Sequence, residues 1–317
     1  MSPTGSGESR EGVALTNLDQ PLFDGAGASK RDLIDYLDGV RDRLLPVLHD
    51  RPLSVIRVHR GQEAFMQKNV PKYTPDFVRT VRFWAEASKR DVSYALCNDR
   101  RTLLWFANQR AVEYHPALVL AERPEHVTHM VLDLDPPDDT GFDMAVRAAR
   151  LVRQALDDVG LQGGVKTSGA KGVHVFVPID ERASMEDSAA ATRAIATRAA
   201  AIDPGIATTA FMKEDRDGKV FVDATRVGGA TVVAAYSPRV RPGAPVSFPV
   251  SWDDLDDIAP ADFTVHTALS QLDAGRPWLG DVPPGQALPP ELVEEGNAIP
   301  SGRTQAMQEG RRRARPK

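Results

Sequence analysis

Two aspartates one residue apart, Asp133 and Asp135, close the apolar run His129-Met130-Val131-Leu132 and are followed at once by Pro136-Pro137. In a strand, residues i and i+2 share a face, so both carboxylates point the same way where the strand ends. At about 4 Å and an effective dielectric near 20, two such charges repel by about 4 kcal/mol. A divalent cation between them reverses that sign, and oxygen ligands suit magnesium or manganese. Taken alone, an Asp-x-Asp fits a solvated acidic turn equally well. A third carboxylate, Asp223, stands in the apolar run Phe221-Val222-Asp223, where an Asp is rare unless paired or metal-bound. Three carboxylates for two cations suit in-line phosphoryl transfer.

Other residues could meet the phosphates. Ser168-Gly169-Ala170-Lys171-Gly172 offers a hydroxyl, an ammonium and flexible backbone amides in one tight turn, groups that suit an anion. The Walker spacing is absent, and a hairpin turn with a solvated lysine is the competing reading. Arg239 and Arg241 alternate in Tyr236-Ser237-Pro238-Arg239-Val240-Arg241, and an arginine fork grips phosphate oxygens bidentately. His115, before Pro116, could be a phosphate or hydroxyl ligand, or a structural histidine. Phe65 near Lys68 could stack a base and hold a phosphate, or be a core aromatic beside a surface lysine. No Gly-x-Ser-x-Gly elbow occurs.

These side chains need elements to hold them. Ser29 and Asp32 form a capping-box pattern before a helix with the stripe Leu33, Leu37, Val40 and Leu44, broken by Arg51-Pro52. Strands are predicted over 53–58, 80–84 and 92–96, and a short helix over 102–112. A helix over 142–159 follows the Asp-x-Asp strand, with Gly160 as its stop. Strands over 165–167 and 173–177 flank the Gly-Ala-Lys-Gly turn. Ser184 and Asp187 open an alanine-rich helix to about Ile202, and strands are predicted over 220–224 and 230–236. A short helix is predicted after Ser251 in a Pro-rich, acidic region. Residues 1–13 and 301–317, the latter containing Arg311-Arg312-Arg313, read as disordered, leaving 14–300 as one catalytic domain.

Composition narrows the class. The chain has 317 residues, 42% of them hydrophobic and 26% charged, as expected of a soluble globular protein. No apolar run approaches a bilayer span and no signal-peptide pattern opens the chain, so a cytoplasmic protein without membrane contact is expected. One cysteine, Cys97, excludes an internal disulfide or cysteine metal cage. The net charge of −5 hides segregation: residues 51–110 hold twelve Lys/Arg against five Asp/Glu, and residues 251–300 one Arg against ten acids. A local basic surface permits a polyanionic partner.

Seven blocks in one order carry a resemblance. They are Leu15-Thr16-Asn17-Leu18-Asp19, Phe65-Met66-Gln67-Lys68, Glu113-Tyr114-His115-Pro116, Val131 to Pro136, Lys166 to His174, Phe221-Val222-Asp223 and Tyr236-Ser237-Pro238-Arg239. Together they closely resemble the primase-polymerase domain of bacterial end-joining ligase D and its stand-alone relatives, within the archaeo-eukaryotic primase superfamily. The resemblance implies an α+β fold whose catalytic core is related to the RNA-recognition motif, flanked by a mixed β-sheet and helices. It implies a DNA-directed nucleotidyltransferase that adds ribo- or deoxyribonucleotides to primer ends in gap filling and break repair, working nucleoid-associated. Two manganese or magnesium ions are implied at Asp133, Asp135 and Asp223. Nucleotide contacts are implied for His115, Ser168, Lys171, Arg239 and Arg57, and DNA contacts for Lys30, Phe65 and Lys68. The implied partners are gapped, overhanging or primed DNA, nucleoside triphosphates, a separate DNA ligase and an end-binding protein. Where the family has a lysine after the Asn-x-Asp block that grips a template 5′-phosphate, this chain has Gln20, while Lys30 matches a second such lysine. Met66 replaces a second Phe, and no Lys-x-Asp-Gly ligase motif is present, so no fused ligase is expected.

Two other readings compete. An inactive end-bridging module would need none of the three carboxylates, Lys171 or Arg239, yet all are present. A phosphatase using Asp133 as nucleophile usually has Gly-Thr after the second Asp, where Pro136-Pro137 stands here.

Overall fold

The computed structural model describes residues 7–59, 61–85, 89–138, 140–227, 231–272 and 282–301. The chain divides into two compact units. One comprises residues 1–117, 231–248 and 260–277, the other 118–230, 249–259 and 278–317.

The first unit opens with a small hairpin, β1 (Ser9–Arg10) paired with β2 (Val13–Ala14). Disorder was expected here. Instead Val13 and Leu15 are buried, and the Arg10 guanidinium pairs with Glu8, Asp35 and Asp38. Asp35 and Asp38 belong to α1 (Lys30–Leu48), whose start is the expected capping box: Asp32 N donates to Ser29 Oγ, and Ser29 N to Asp32 Oδ2. Leu33, Leu37, Val40, Leu44 and Leu48 of α1 are buried, each contributing about 1.5–3 kcal/mol relative to exposure. That stripe packs on α2 (Arg100–Asn108) and on the sheet.

The sheet of this unit centres on β3 (Leu53–Arg57). On one edge lie β4 (Phe65–Gln67) and, at Leu53, β6 (Arg90–Ala95), which pairs with β5 (Thr80–Ala85). Its other edge pairs with β7 (Ala111–Pro116). The predicted helix over 102–112 therefore ends early. Arg110 takes a left-handed φ of 59°, which reverses the chain into β7, every residue of which is buried. The predicted strand over 230–236 does not form either: Ala230 lies outside the described residues, only Thr231 makes a bridge, and Tyr236 turns with φ 66°.

The second unit opens with the hairpin of β8 (Val119–Leu120) and β9 (Arg123–Val127). There follow β10 (His129–Asp135), α3 (Phe142–Asp157), β11 (Gly164–Thr167), β12 (Val173–Pro178), α4 (Met185–Ile202), β13 (Ala207–Thr208) and β14 (Val220–Asp223). Strand β15 (Pro249–Val250) pairs with β11. Spatial order in the six-stranded sheet is β13-β14-β10-β12-β11-β15. Leaving out the two short edge strands, the path is βαββαβ with order fourth-first-third-second and antiparallel neighbours. This is the topology of the RNA-recognition motif, and with the mixed sheet of the first unit the fold is α+β. Helix α5 (Pro290–Ala298), not anticipated in the Pro-rich acidic region, packs on α4. A Cβ at Gly296 would lie 1.9 Å from Ala190 O, so the approach needs glycine. Of the expected C-terminal tail, 302–317 lie outside the described residues. Among the described residues, no helix is long and apolar enough to cross a membrane.

Candidate functional site

Asp133 and Asp223 are direct cross-strand partners on β10 and β14. Directly opposite residues share a face, as do i and i+2, so Asp133, Asp135 and Asp223 project from one side of the sheet. The register continues across four strands, with His174 of β12 opposite Asp133 and Lys166 of β11 opposite His174. His174 Nε2 lies 3.1 Å from Asp133 Oδ1, and Lys166 Nζ lies 2.9 Å from His174 Nδ1. His174 thus bridges Asp133 and Lys166, one ring nitrogen to each. On the other side of Asp133, Arg226 donates to Oδ2 from Nη2 (2.8 Å) and Nε (3.1 Å), with Nε also 3.3 Å from Asp223 Oδ2. Asp223 Oδ1 accepts from Thr225 N and Oγ1 at 2.7 and 2.6 Å.

These neighbours split the carboxylates electrically. Burial opposes ionisation of Asp133, yet His174 and Arg226 outweigh it and hold this carboxyl below its ordinary range. Asp135 is pushed up to about 6, first by burial and then by the charge of Asp133. Among the described residues no three carboxylate or imidazole groups converge on one point as a ready cation cage. The donor set nevertheless fits a hard cation: three carboxylates from two adjacent strands offer oxygen only. The Arg226 guanidinium between Asp133 and Asp223 marks where positive charge is favourable.

Beside this row, the β11–β12 hairpin turns tightly. A Cβ at Gly172 would lie 2.4 Å from Leu134 O, so only glycine lets the turn press on β10. Ser168 Oγ accepts from Ala170 N (3.2 Å) and Gly172 N (3.1 Å). Those amides, expected to face a phosphate, instead close the turn, because a buried N–H without a partner costs about 1–3 kcal/mol. Lys171 Nζ lies 2.5 Å from Asp138 Oδ1 and Lys213 Nζ 3.0 Å from Oδ2. Hydrogen bonds from Lys171 and then Lys213 pull the Asp138 carboxyl down to about 2.

In the first unit, His115, Arg239 and Glu113 form a second cluster. Glu113 Oε2 lies 2.8 Å from His115 Nε2 and 3.0 Å from Arg239 Nε. Arg241 N donates to Arg239 O, and this bend leaves Arg241 exposed while Arg239 turns inward. Phe65 is 39% exposed, stacked on His59 at 5.3 Å, and Lys68 is exposed.

Two of the expected contact residues face inward in this structure. Arg57 is buried, and its guanidinium donates to Gln67 Oε1, Tyr73 Oη, Gln109 O and Gln109 Oε1, so it braces β4. Lys30 is only 2% exposed and donates to Thr16 O and Asn108 Oδ1, both at 2.6 Å. Burial pushes its ammonium down to about 8. The cleft at Gln20 is lined by Asn17, Asp19, Arg31 and Glu8, with Arg31 paired to Glu8 and Asp19.

Sequence reasoning missed His174, Lys166, Arg226, Glu113 and Asp138. The signal used for Asp223, an ionisable residue in an apolar strand, applies equally to Lys166 in Val165-Lys166-Thr167 and to His174 in Val173-His174-Val175. Nothing in the sequence pairs Arg226 or Asp138 with their partners.

Residues 29–278 match the family model described as LigD, primase-polymerase domain. The bifunctional non-homologous end joining protein LigD of Bacillus subtilis is 34% identical over 267 residues, 82% of this chain and 42% of that protein. The multifunctional non-homologous end joining DNA repair protein LigD of Mycobacterium tuberculosis is 32% identical over 275 residues, 83% of this chain and 36% of that protein. This chain thus spans about two fifths of the length of these curated relatives. Among solved structures, the polymerase domain of Mycobacterium tuberculosis ligase D in complex with DNA superposes with a TM-score of 0.76 at 31% identity. That match covers 82% of this chain and 93% of that domain.

Proposed function

The chain belongs to the LigD primase-polymerase domain family, and on that premise we propose that it is a DNA-directed nucleotidyltransferase adding nucleotides to primer ends during end-joining repair. The observation that carries this reading is the cross-strand pairing of Asp133 with Asp223, with Asp135 on the same face. A module that only bridged DNA ends would gain nothing from three carboxylates held against their mutual repulsion. The resemblance to a ligase D polymerase domain solved with DNA supports DNA as the partner. In this reading 14–300 form the catalytic domain, and a DNA ligase and an end-binding protein act with it, fused or separate.

Asp133, Asp135 and Asp223 would hold two divalent cations, manganese or magnesium, which when bound supply Lewis-acid activation of the primer hydroxyl and stabilisation of the leaving pyrophosphate. The chain's own residues do the rest. Lys166 and His174 fix one oxygen of Asp133, leaving Oδ2 as the oxygen that Arg226 gives up. Lys171 exchanges Asp138 for a phosphate oxygen, a trade between two anions that keeps its charge satisfied. Ser168 acts as the turn's brace and as a phosphate ligand. In the first unit, His115 and Arg239 contact nucleotide, and Phe65 and Lys68 contact template. Arg57, which braces β4, acts near the nucleotide, and Lys30, which ties Thr16 to Asn108, acts near the DNA.

The test is primer extension on a gapped duplex with each of the four ribonucleotides and deoxyribonucleotides, in manganese and in magnesium, against Asp135→Ala as control. Template-directed addition by the unmodified chain alone supports the reading. DNA binding without any addition would identify a bridging module instead.

A further inference from the structure

Glu113 is 3% exposed on β7, with no solvent to satisfy its charge. Two hydrogen-bond partners and one guanidinium, which is paired by charge alone, offset that charge instead. Oε1 accepts from Val240 N at 2.8 Å, and Oε2 lies 2.8 Å from His115 Nε2 and 3.0 Å from Arg239 Nε. Burial opposes ionisation, but His115, Arg239 and Val240 outweigh it and hold the carboxyl below its ordinary value. An ionised carboxylate only accepts, so His115 Nε2 carries a proton. Nδ1 is the other ring nitrogen, and it makes no hydrogen bond among the described residues. Two positive or polar groups that meet phosphate in the proposed function thus share one buried anion.

We propose that Glu113 is a positioning residue for the nucleotide: it sets the His115 proton on Nε2, turns Nδ1 toward the ligand and holds Arg239 in its binding rotamer. This rests on the nucleotidyltransferase reading and names the group through which two of its phosphate ligands are preorganised. Freezing a rotamer-rich side chain costs entropy on binding, and here the two are frozen beforehand. Glu113→Gln keeps the shape but not the function. Its amide has one oxygen and one NH2, while donors converge on both ends of the carboxylate. Either Val240 N–H or His115 Nε2–H then faces another donor.

Long-range proton–nitrogen correlation spectra of the histidine-labelled full chain, with His115 assigned by His115→Gln, test the first half. A proton on Nε2 is expected. A ring protonated at Nδ1 alone overturns the proposal, whether or not any variant folds. In Glu113→Gln the His115 signature should change. The KM for nucleoside triphosphate should rise about tenfold, the equivalent of about 1.4 kcal/mol, with kcat changing less than threefold. A folded variant with an unchanged His115 signature and unchanged KM overturns it as well. If the unmodified chain neither binds nor adds nucleotide, the functional reading fails instead, and the spectrum still decides whether Glu113 sets the His115 proton.

Discussion

Asp133 and Asp223 sit directly opposite each other on neighbouring antiparallel strands, and the Arg226 guanidinium closes the gap between their outer oxygens. Charges so close are tolerable only while a cation stands among them. In this structure that cation is the protein's own guanidinium.

Asp135 is the carboxylate with the least internal compensation, its carboxyl raised to about 6 by burial and by Asp133. Asp135→Asn removes a repelling charge at pH 7. It should stabilise the metal-free protein by about 1–2 kcal/mol while lowering nucleotide addition at least a thousandfold. Urea unfolding in chelator and primer extension in manganese measure the two effects. Near-normal extension would exclude Asp135 as a metal ligand.

Replacing Arg226 removes the competitor for the same oxygens. Losing a charged hydrogen bond is worth about 1.5–3 kcal/mol, so Arg226→Gln should bind manganese about tenfold more tightly without nucleotide. Paramagnetic titration of free manganese reads this directly. Unchanged or weaker binding would show that Arg226 and the cation do not compete.

Lys171 and Arg239 lie in different units and each pairs with a carboxylate, Asp138 and Glu113 respectively. Alanine at either position should raise the KM for nucleotide by about 10- to 100-fold, one charge-assisted contact being worth about 1.5–3 kcal/mol. Steady-state extension against nucleotide concentration checks it. If both variants keep the original KM, neither residue meets the triphosphate.

Lys30 makes stability depend on alkaline pH. Its folded value of about 8 lies below the ordinary lysine value near 10.4. Between those values the unfolded chain holds more protons than the folded one, so stability gains up to about 1.4 kcal/mol per pH unit. Below pH 8 both states are protonated and this contribution is flat. Urea midpoints of the unmodified chain and Lys30→Met should therefore diverge between pH 8 and 10, the unmodified chain gaining. Parallel curves would mean that Lys30 is solvated.

Gln20 lines its cleft with Asp19, Glu8 and a single cation, Arg31, which both acids already engage. A 5′-phosphate at the edge of a gap would find little positive charge there. Preference for 5′-phosphorylated over 5′-hydroxyl gaps should be weak, and Gln20→Lys should strengthen it about tenfold. Competition binding of the two duplexes at fixed salt decides it, phosphate contacts being salt-dependent. A hundredfold preference in the unmodified chain would point to a different phosphate pocket.

Local facts were legible in the order of residues. Period-2 alternation put Asp133 and Asp135 on one face, and the apolar context of Asp223 marked it as a partnered charge. The Ser29–Asp32 box started α1 where expected, because capping is settled within four residues. Seven ordered blocks were enough for the family and the α+β core. Which groups face which depended on long-range pairing. Register across β14, β10, β12 and β11 lined up Asp223, Asp133, His174 and Lys166, and strand register depends on partners distant in sequence. The same holds for Arg110, whose left-handed backbone turned a predicted helix end into β7 and so placed Glu113 and His115 side by side. Lys30 and Arg57, basic residues that read as free for phosphate, were drawn inward. Their hydrogen-bond partners Asn108 and Gln109 come from the end of a helix that no local pattern connects to them.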